Sequence, residues 1–439
     1  MKTSATVQKY LDNYAENEHR ALAHLNQTFT NVITIPAFDE TIENIKAIFS
    51  AISAKKLLVI LVVNASNHST DAAKESNQKL LADINAEFLT TWRSQNQPGI
   101  TLHSTAFGGL LLVDRSSPAQ VLPEKSGVGL ARKIAADLAL KMIVDGKVSS
   151  TWIHCTDADA QLPQDYFQKT ATATGCAAAL HPYTHRIHSE NSCHHDAVLL
   201  YELSLRHYVI GLNAAHSSYG YQSIGSTLSI DCAAYAAVRG FPRREAGEDF
   251  YLLNKINKIG KIQQLDGEPI ILDGRFSHRV PFGTGKSVEK ITALDESENH
   301  FLFYHPEIFD LLKMTLQKLA ILDQETTISP LTTDFMGTEK AQHLNAALTH
   351  MGASSAMETA RKSSQNPRIQ QEHLRTWFDG FRTLKFIHYC RDLGYPSMPL
   401  RQLITQPLYR PYALNPCASL TELNEQFKKI ERHLTTHRK

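Results

Sequence analysis

Leu57-Leu-Val-Ile-Leu-Val-Val63 is an unbroken apolar run that ends on Asn64. A strand with one wet face alternates polar and apolar side chains, so a run without alternation reads as a strand covered on both faces, as in a parallel sheet between helical layers. Upstream, Asn31-Val-Ile-Thr-Ile-Pro36 reads as a first strand and Ile42 to Ile52 as the helix between the two, which together make a βαβ unit. Strand, polar turn and helix recur through Gly108-Gly-Leu-Leu-Leu-Val113, a helix over Gly129 to Val144 and a strand over Thr151 to Cys155. The expected fold class is therefore α/β, a mostly parallel sheet flanked by helices.

The chain has 439 residues and is 42% hydrophobic, enough for one large domain and an addition. An N-terminal segment within residues 1–28 carries Tyr10, Leu11, Tyr14 and Leu22 near helical spacing. His181 to His195 is rich in polar residues and reads as an irregular loop, and Ala197 to Leu212 as a helix. Beyond residue 288 the pattern changes: Phe301 to Leu322 and His373 to Leu393 have helical apolar spacing, so 1–288 is expected as the sheet domain and 289–439 as a helical C-terminal region. A formal charge of +1 gives no global field for nucleic acid or anionic membrane. Six cysteines without a Cys-x-x-Cys spacing speak against a disulfide framework or structural zinc, and point to a reducing, cytoplasmic compartment. The N-terminus lacks the apolar core of a signal peptide, and no apolar run is long enough to span a bilayer.

Ligands of open α/β sheets gather at the carboxyl ends of strands, and that is where this chain places its polar residues. In Ser150-Thr-Trp-Ile-His-Cys-Thr-Asp157-Ala-Asp159 a short apolar strand delivers two carboxylates two residues apart. In an extended segment such residues share a side, so Asp157 and Asp159 can converge on one hard cation that also takes phosphate oxygens. The competing reading is a solvated turn or a helix cap. Pro36, Asp39 and Glu40 end the first strand, while Asn64 and Asp71 bracket the turn after the second; taken singly, these are ordinary strand-to-helix turns.

Together the motifs resemble those of family-2-type glycosyltransferases with the GT-A fold. Pro36-Ala-Phe-Asp39-Glu40 and Asn64-Ala-Ser-Asn-His-Ser-Thr-Asp71 look like the family's first two nucleotide-binding turns, Asp157-Ala-Asp159 like its DxD motif, and Gly127-Val-Gly-Leu-Ala-Arg132-Lys133 like its Gly-x-x-x-Ala-Arg-Asn helix start. Ile224-Gly-Ser-Thr, leading into Val238-Arg-Gly-Phe-Pro242, resembles the acceptor-side segment, and Glu248-Asp249 the Glu-Asp pair. The order is the family's across residues 30–285. The resemblance implies a metal-dependent transfer of a sugar from a nucleotide-diphosphate donor to a hydroxyl acceptor, with inversion. It implies Asp249 as base beside Glu248, nucleotide-sugar contacts from Pro36, Asp39, Glu40, Asn64, Asp71, Arg132 and Asp157, and Mn2+ or Mg2+ on Asp157, Asp159 and His278. Glu248 and Asp249 also suit the start of any helix, whose dipole favours acids. Arg275 has two readings, a phosphate contact or a solvated side chain.

The departures bear on specificity. Asn64 stands where the family has an acid that reads the nucleobase, and Lys133 replaces a neutral amide. No Gln-x-x-Arg-Trp follows Asp249, so membrane-coupled polymer synthesis is not expected; a small or soluble acceptor is, and a homo-oligomer is compatible. The alternatives are a degenerate sugar-nucleotide-binding or scaffold protein, a nucleotidyltransferase, and a P-loop NTPase built on Val280-Pro-Phe-Gly-Thr-Gly285-Lys286-Ser287. The last lacks the loop's first glycine.

Overall fold

A computed structural model describes residues 4–49, 52, 55–187, 192–276, 283–321 and 338–436. The strands are β1 (Asn31–Ala37), β2 (Leu57–Asn64), β3 (Thr90–Arg93), β4 (Ile100–Thr105), β5 (Gly108–Arg115), β6 (Trp152–Cys155), β7 (Ala178–Leu180), β8 (Tyr183–Arg186), β9 (Leu228–Asp231), β10 (Ile262–Gln264), β11 (Ile270–Asp273), β12 (Leu302–Phe303) and β13 (Met398–Pro399). The helices are α1 (Ala5–Asn13), α2 (Ile42–Ile48), α3 (Asp71–Glu87), α4 (Gly127–Val144), α5 (Tyr166–Ala171), α6 (Ser192–Ala214), α7 (Cys232–Ala237), α8 (Glu248–Ile256), α9 (Thr284–Thr292), α10 (Ser297–His300), α11 (Glu307–Ile321), α12 (Thr338–His350), α13 (Ala353–Ser363), α14 (Pro367–Trp377), α15 (Gly380–Leu393), α16 (Leu400–Leu403) and α17 (Leu420–Thr436).

Nine strands form one sheet in the order β10-β7-β9-β6-β1-β2-β5-β4-β3. From the pairings, β1, β2, β3, β5, β6, β7 and β10 run one way and β4 and β9 the other, so the sheet is mixed but mostly parallel by direction. Every residue of β2 is buried, as an unbroken apolar run requires when helices cover both faces. The tips of β6, β1, β2 and β5 stand side by side at the carboxyl edge. A smaller parallel pair, β8 with β11, adjoins that edge: Gln161, just past the tip of β6, exchanges backbone hydrogen bonds with Ile271 (2.9 and 3.0 Å). The loop expected over His181 to His195 is thus a strand at Tyr183–Arg186, where alternating burial of Tyr183 and His185 supplies the period that polar composition obscures.

By contacts the chain forms two compact units, one drawn from residues 1–188 and 223–287, the other from 189–222 and 288–439. The expected division at 288/289 assigned α6 to the sheet domain, but α6 belongs to the helical unit. There it packs along α17 around a buried charge network. Arg206 donates to Glu202 (Nη2 to Oε1, 2.7 Å) and to Glu431 (Nη1 to Oε2, 2.7 Å), Gln222 donates to the other oxygen of Glu431 (2.8 Å), and Asn424 donates to Glu202 (3.0 Å). The core of this unit joins Leu212, Phe309, Leu312, Leu344, Phe386 and Ile387. The helical stretch expected over His373 to Leu393 breaks near Phe378, because Asp379 turns extended and caps α15 by accepting from the Arg382 N–H. The N-terminal segment is likewise two pieces, α1 and a 3-10 turn over Asn17–Leu22.

Replacing Arg206 by Met leaves Glu202 and Glu431 buried without their shared cation. Such a loss costs about 3–5 kcal/mol, and the added substitutions Glu202→Gln and Glu431→Gln are expected to recover most of it. Urea unfolding of the single and triple variants checks both.

Candidate active site

The helix start Gly127-Val-Gly-Leu-Ala-Arg-Lys places its first turn against the chain that leads into α8. Gly129 donates to the carbonyl of Arg244 (2.9 Å), and a Cβ at 129 would lie 2.6 Å from that oxygen and 2.7 Å from the carbonyl of Pro242. Only glycine allows this approach, and its consequence is that Arg132, one turn further on, meets both α8 and the tip of β6. Arg132 Nε donates to Glu248 Oε1 (2.8 Å) and Nη2 to Asp157 Oδ1 (2.5 Å). Its Nη1 is buried with no hydrogen-bond partner among the described residues. A Cβ at Gly225 would come 2.7 Å from Nη2 and 2.9 Å from Cζ, so the guanidinium lies directly on that glycine. Burial opposes the charge of Arg132, but Asp157 and Glu248 raise its pKa well above the ordinary value.

A second guanidinium holds the other half of the motif. Arg275, two residues past β11, donates from Nη2 to Asp159 Oδ2 (2.7 Å) and to Glu40 Oε1 (2.6 Å), and Asn44 donates to the other oxygen of Glu40 (2.7 Å). Burial works against this charge too, and Asp159 and Glu40 outweigh it. Among the described residues, Asp157, Asp159, Glu40, Glu248 and Asp249 thus gather around two arginines, an excess of acids.

Glu248 and Asp249 open α8 after Gly247, whose φ of 73° makes the turn. Glu248 is buried in its bond with Arg132. Asp249 is half-buried and accepts from the Phe250 N–H (2.7 Å); burial, and then the neighbouring charge of Glu248, push its pKa up to about 7, against the pull of that N–H and of Arg132.

Of the nucleotide-side candidates, Pro36 is buried within β1, Asp39 is exposed in a left-handed conformation (φ 56°), and Asn64 closes β2. Buried Asn77 on α3 ties these two tips together, accepting from the Asp39 N–H (2.9 Å) and donating to the Asn64 carbonyl (3.0 Å). Asp71 starts α3 with its side chain 95% exposed, near Lys74 (3.7 Å) and, among the described residues, joined to no other candidate. His278 lies outside the described residues.

Lys133 belongs elsewhere. It donates to Tyr10 Oη (2.6 Å) and pairs with Asp137 (3.1 Å), which also accepts from Tyr235 (2.8 Å) and from the Glu16 N–H (2.7 Å), so this charge fastens the N-terminal segment to α4. Cys155 is buried beside Thr34, its thiol pushed up to about 11 by burial, which unfits it as a nucleophile. His154 and His181 share Ser229 in the core, and burial drives both well below the usual imidazole range. Among the described residues no three His, Cys, Asp or Glu side chains stand close enough to hold a metal ion. Asn77 escaped the sequence reading although it had a signal, an amide on the apolar face of α3 that also bears Ala73, Leu80 and Leu81; Gly225 falls within the segment Ile224-Gly-Ser-Thr, but its place under Arg132 had no signal.

No protein-family model matches the chain, and no curated protein matches it by sequence. Among solved structures it is similar to S. aureus TarS 1–349 in complex with UDP-GlcNAc, at 11% identity and TM-score 0.38 over 84% of this chain and 99% of that one. It is also similar to M. tuberculosis glucosyl-3-phosphoglycerate synthase, at 14% identity and TM-score 0.31 over 63% of this chain and 82% of that one. At this level of similarity the site has to be read from its own residues.

Proposed function

We propose that the chain is a metal-dependent glycosyltransferase that moves a sugar, with inversion, from a nucleotide-diphosphate donor to a hydroxyl acceptor. The observation that carries the proposal is that one buried guanidinium, Arg132, links the Asp157-Ala-Asp159 tip to Glu248 beside Asp249, a carboxyl that changes charge near neutral pH. This geometry supports a reading in which Asp157 and Asp159 serve the donor and Asp249 the acceptor. A general base works best when its pKa is near the working pH, and Asp249 meets that condition.

The site suits a hard divalent cation by charge and by donor type. Among the described residues, four carboxylates and the Asp249 carboxyl stand against two guanidiniums, a balance that would repel a diphosphate, and the side chains of Asp157 and Asp159 keep 39% and 23% of their surface exposed, with oxygen donors of the kind Mg2+ and Mn2+ take. Asp157 and Asp159 are the proposed ligands. A cation there would neutralise charge building on the departing diphosphate. The chain's own part is to remove a proton: as the acceptor oxygen bonds to the anomeric carbon, its proton passes to the Asp249 carboxylate, while the electron pair of the broken C–O bond leaves with the diphosphate. Arg132 and Arg275 hold the surrounding acids in register. Among the described residues no helix is long and apolar enough to cross a membrane, and a small or soluble acceptor is proposed.

Two outcomes are expected. In a thermal-shift panel of UDP, GDP, dTDP and CDP, one nucleotide raises the melting temperature only with Mn2+ or Mg2+, and chelator or Asp157→Ala abolishes the shift. With that donor, kcat/KM climbs with pH through about 7 as Asp249 loses its proton and then levels off, and Asp249→Asn lowers kcat by about 10^2 to 10^4 while the thermal shift is kept. A flat pH profile, or an Asn variant with normal turnover, removes Asp249 from the role of base.

A further inference from the structure

The two arginines share a pattern that charge balance alone does not require. Each bridges a deeply buried carboxylate and a more exposed one: Arg132 joins Glu248 (side chain 5% exposed) to Asp157 (39%), and Arg275 joins Glu40 (2%) to Asp159 (23%). The exposed member of each pair is one half of the Asp-x-Asp tip. The buried member comes from another element, α8 for Glu248 and the turn after β1 for Glu40.

We propose that Arg132 and Arg275 are exchangeable latches, occupying Asp157 and Asp159 in the ligand-free protein and passing to the diphosphate when a divalent cation takes those carboxylates. This rests on the reading of the site as one for a nucleotide diphosphate. A guanidinium has five donors in a fixed fork, so releasing one carboxylate does not set it adrift. Arg132 keeps Glu248 through Nε, and its Nη1, already without a hydrogen-bond partner, adds a second donor for an incoming oxygen. Packing on Gly225 fixes the plane of the group, so it changes partner with little travel. Arg275 keeps Glu40, whose second oxygen is held by Asn44. The cation and the phosphate oxygens thus replace two ion pairs by two others.

The latch has a thermodynamic signature. Before nucleotide arrives, the arginines compete with the cation for Asp157 and Asp159, so removing one strengthens binding of the cation alone. Once the cation is bound they serve the diphosphate, so the same change weakens nucleotide binding. A residue that merely supports the fold would weaken both.

The test uses the full chain and Arg275→Gln, with Arg132→Gln as a second variant should the first not fold as judged by circular dichroism. Mn2+ binding is measured alone by electron paramagnetic resonance, and UDP, GDP, dTDP and CDP are then titrated at saturating Mn2+. The expected result is opposite shifts, Mn2+ alone binding more tightly and the nucleotide more weakly, each by at least about fivefold, the lower end of coupling between linked sites. Nucleotide binding by wild type with Mn2+ affinity unchanged or weakened in the variant overturns the latch and leaves the glycosyltransferase reading standing. No binding of any of the four nucleotides by wild type removes that reading and the latch with it.

Discussion

The ion pairs from Arg132 to Asp157 and Glu248 are the interaction on which the site depends. They join a loop at the tip of a sheet strand to the first residue of a helix that lies far along the chain. Burying the Arg132–Glu248 pair is costly, and an apolar trio in place of the three charged side chains would hold the elements together at least as well. What the apolar trio lacks is direction. A guanidinium fork accepts its partners only in its own plane and at hydrogen-bond distance, so it fixes Asp157 relative to Glu248, and Asp249 follows because it is the next residue of the same helix.

The backbone is shaped to permit this. Gly129 lets α4 approach the 242–245 segment, and Gly225 lets the guanidinium lie on the chain itself; a methyl group at either position would fall within about 2.7 Å of its neighbours. Behind the edge, Asn77 joins the ends of β1 and β2, so Asp39, Glu40 and Asn64 keep a common frame although the turns that carry them are irregular.

Much of the sheet was legible because burial on both faces removes alternation, and β1, β2, β5 and β6 with the helix α4 appear where apolar runs and the Gly-x-Gly start put them. Less legible was everything decided by partners. The spacing of α6 announces a helix with an apolar face but not which unit receives it; the choice falls on Glu431 and Gln222, remote in sequence from Arg206. The strand Tyr183–Arg186 was hidden by histidines that are buried rather than solvated. Asp157, Asp159, Glu248 and Arg132 were singled out through motif order and lie together, whereas the position of Arg275 follows β11, which pairs at Ile271 with Gln161, a pairing with no local signal.

Arg132 and Lys133 show why a motif letter is an incomplete guide to charge. Adjacent residues on a helix point about 100° apart, so the second cation does not add to the field of the first. Arg132 faces the acids of the sheet edge, while Lys133 turns to Asp137 and Tyr10 and is neutralised in a pocket of its own. Replacing an amide by lysine there changes how the N-terminal segment is anchored and leaves the acidic balance of the site alone. Among the described residues the electrostatics of the candidate site therefore rest on two arginines and the acids they hold.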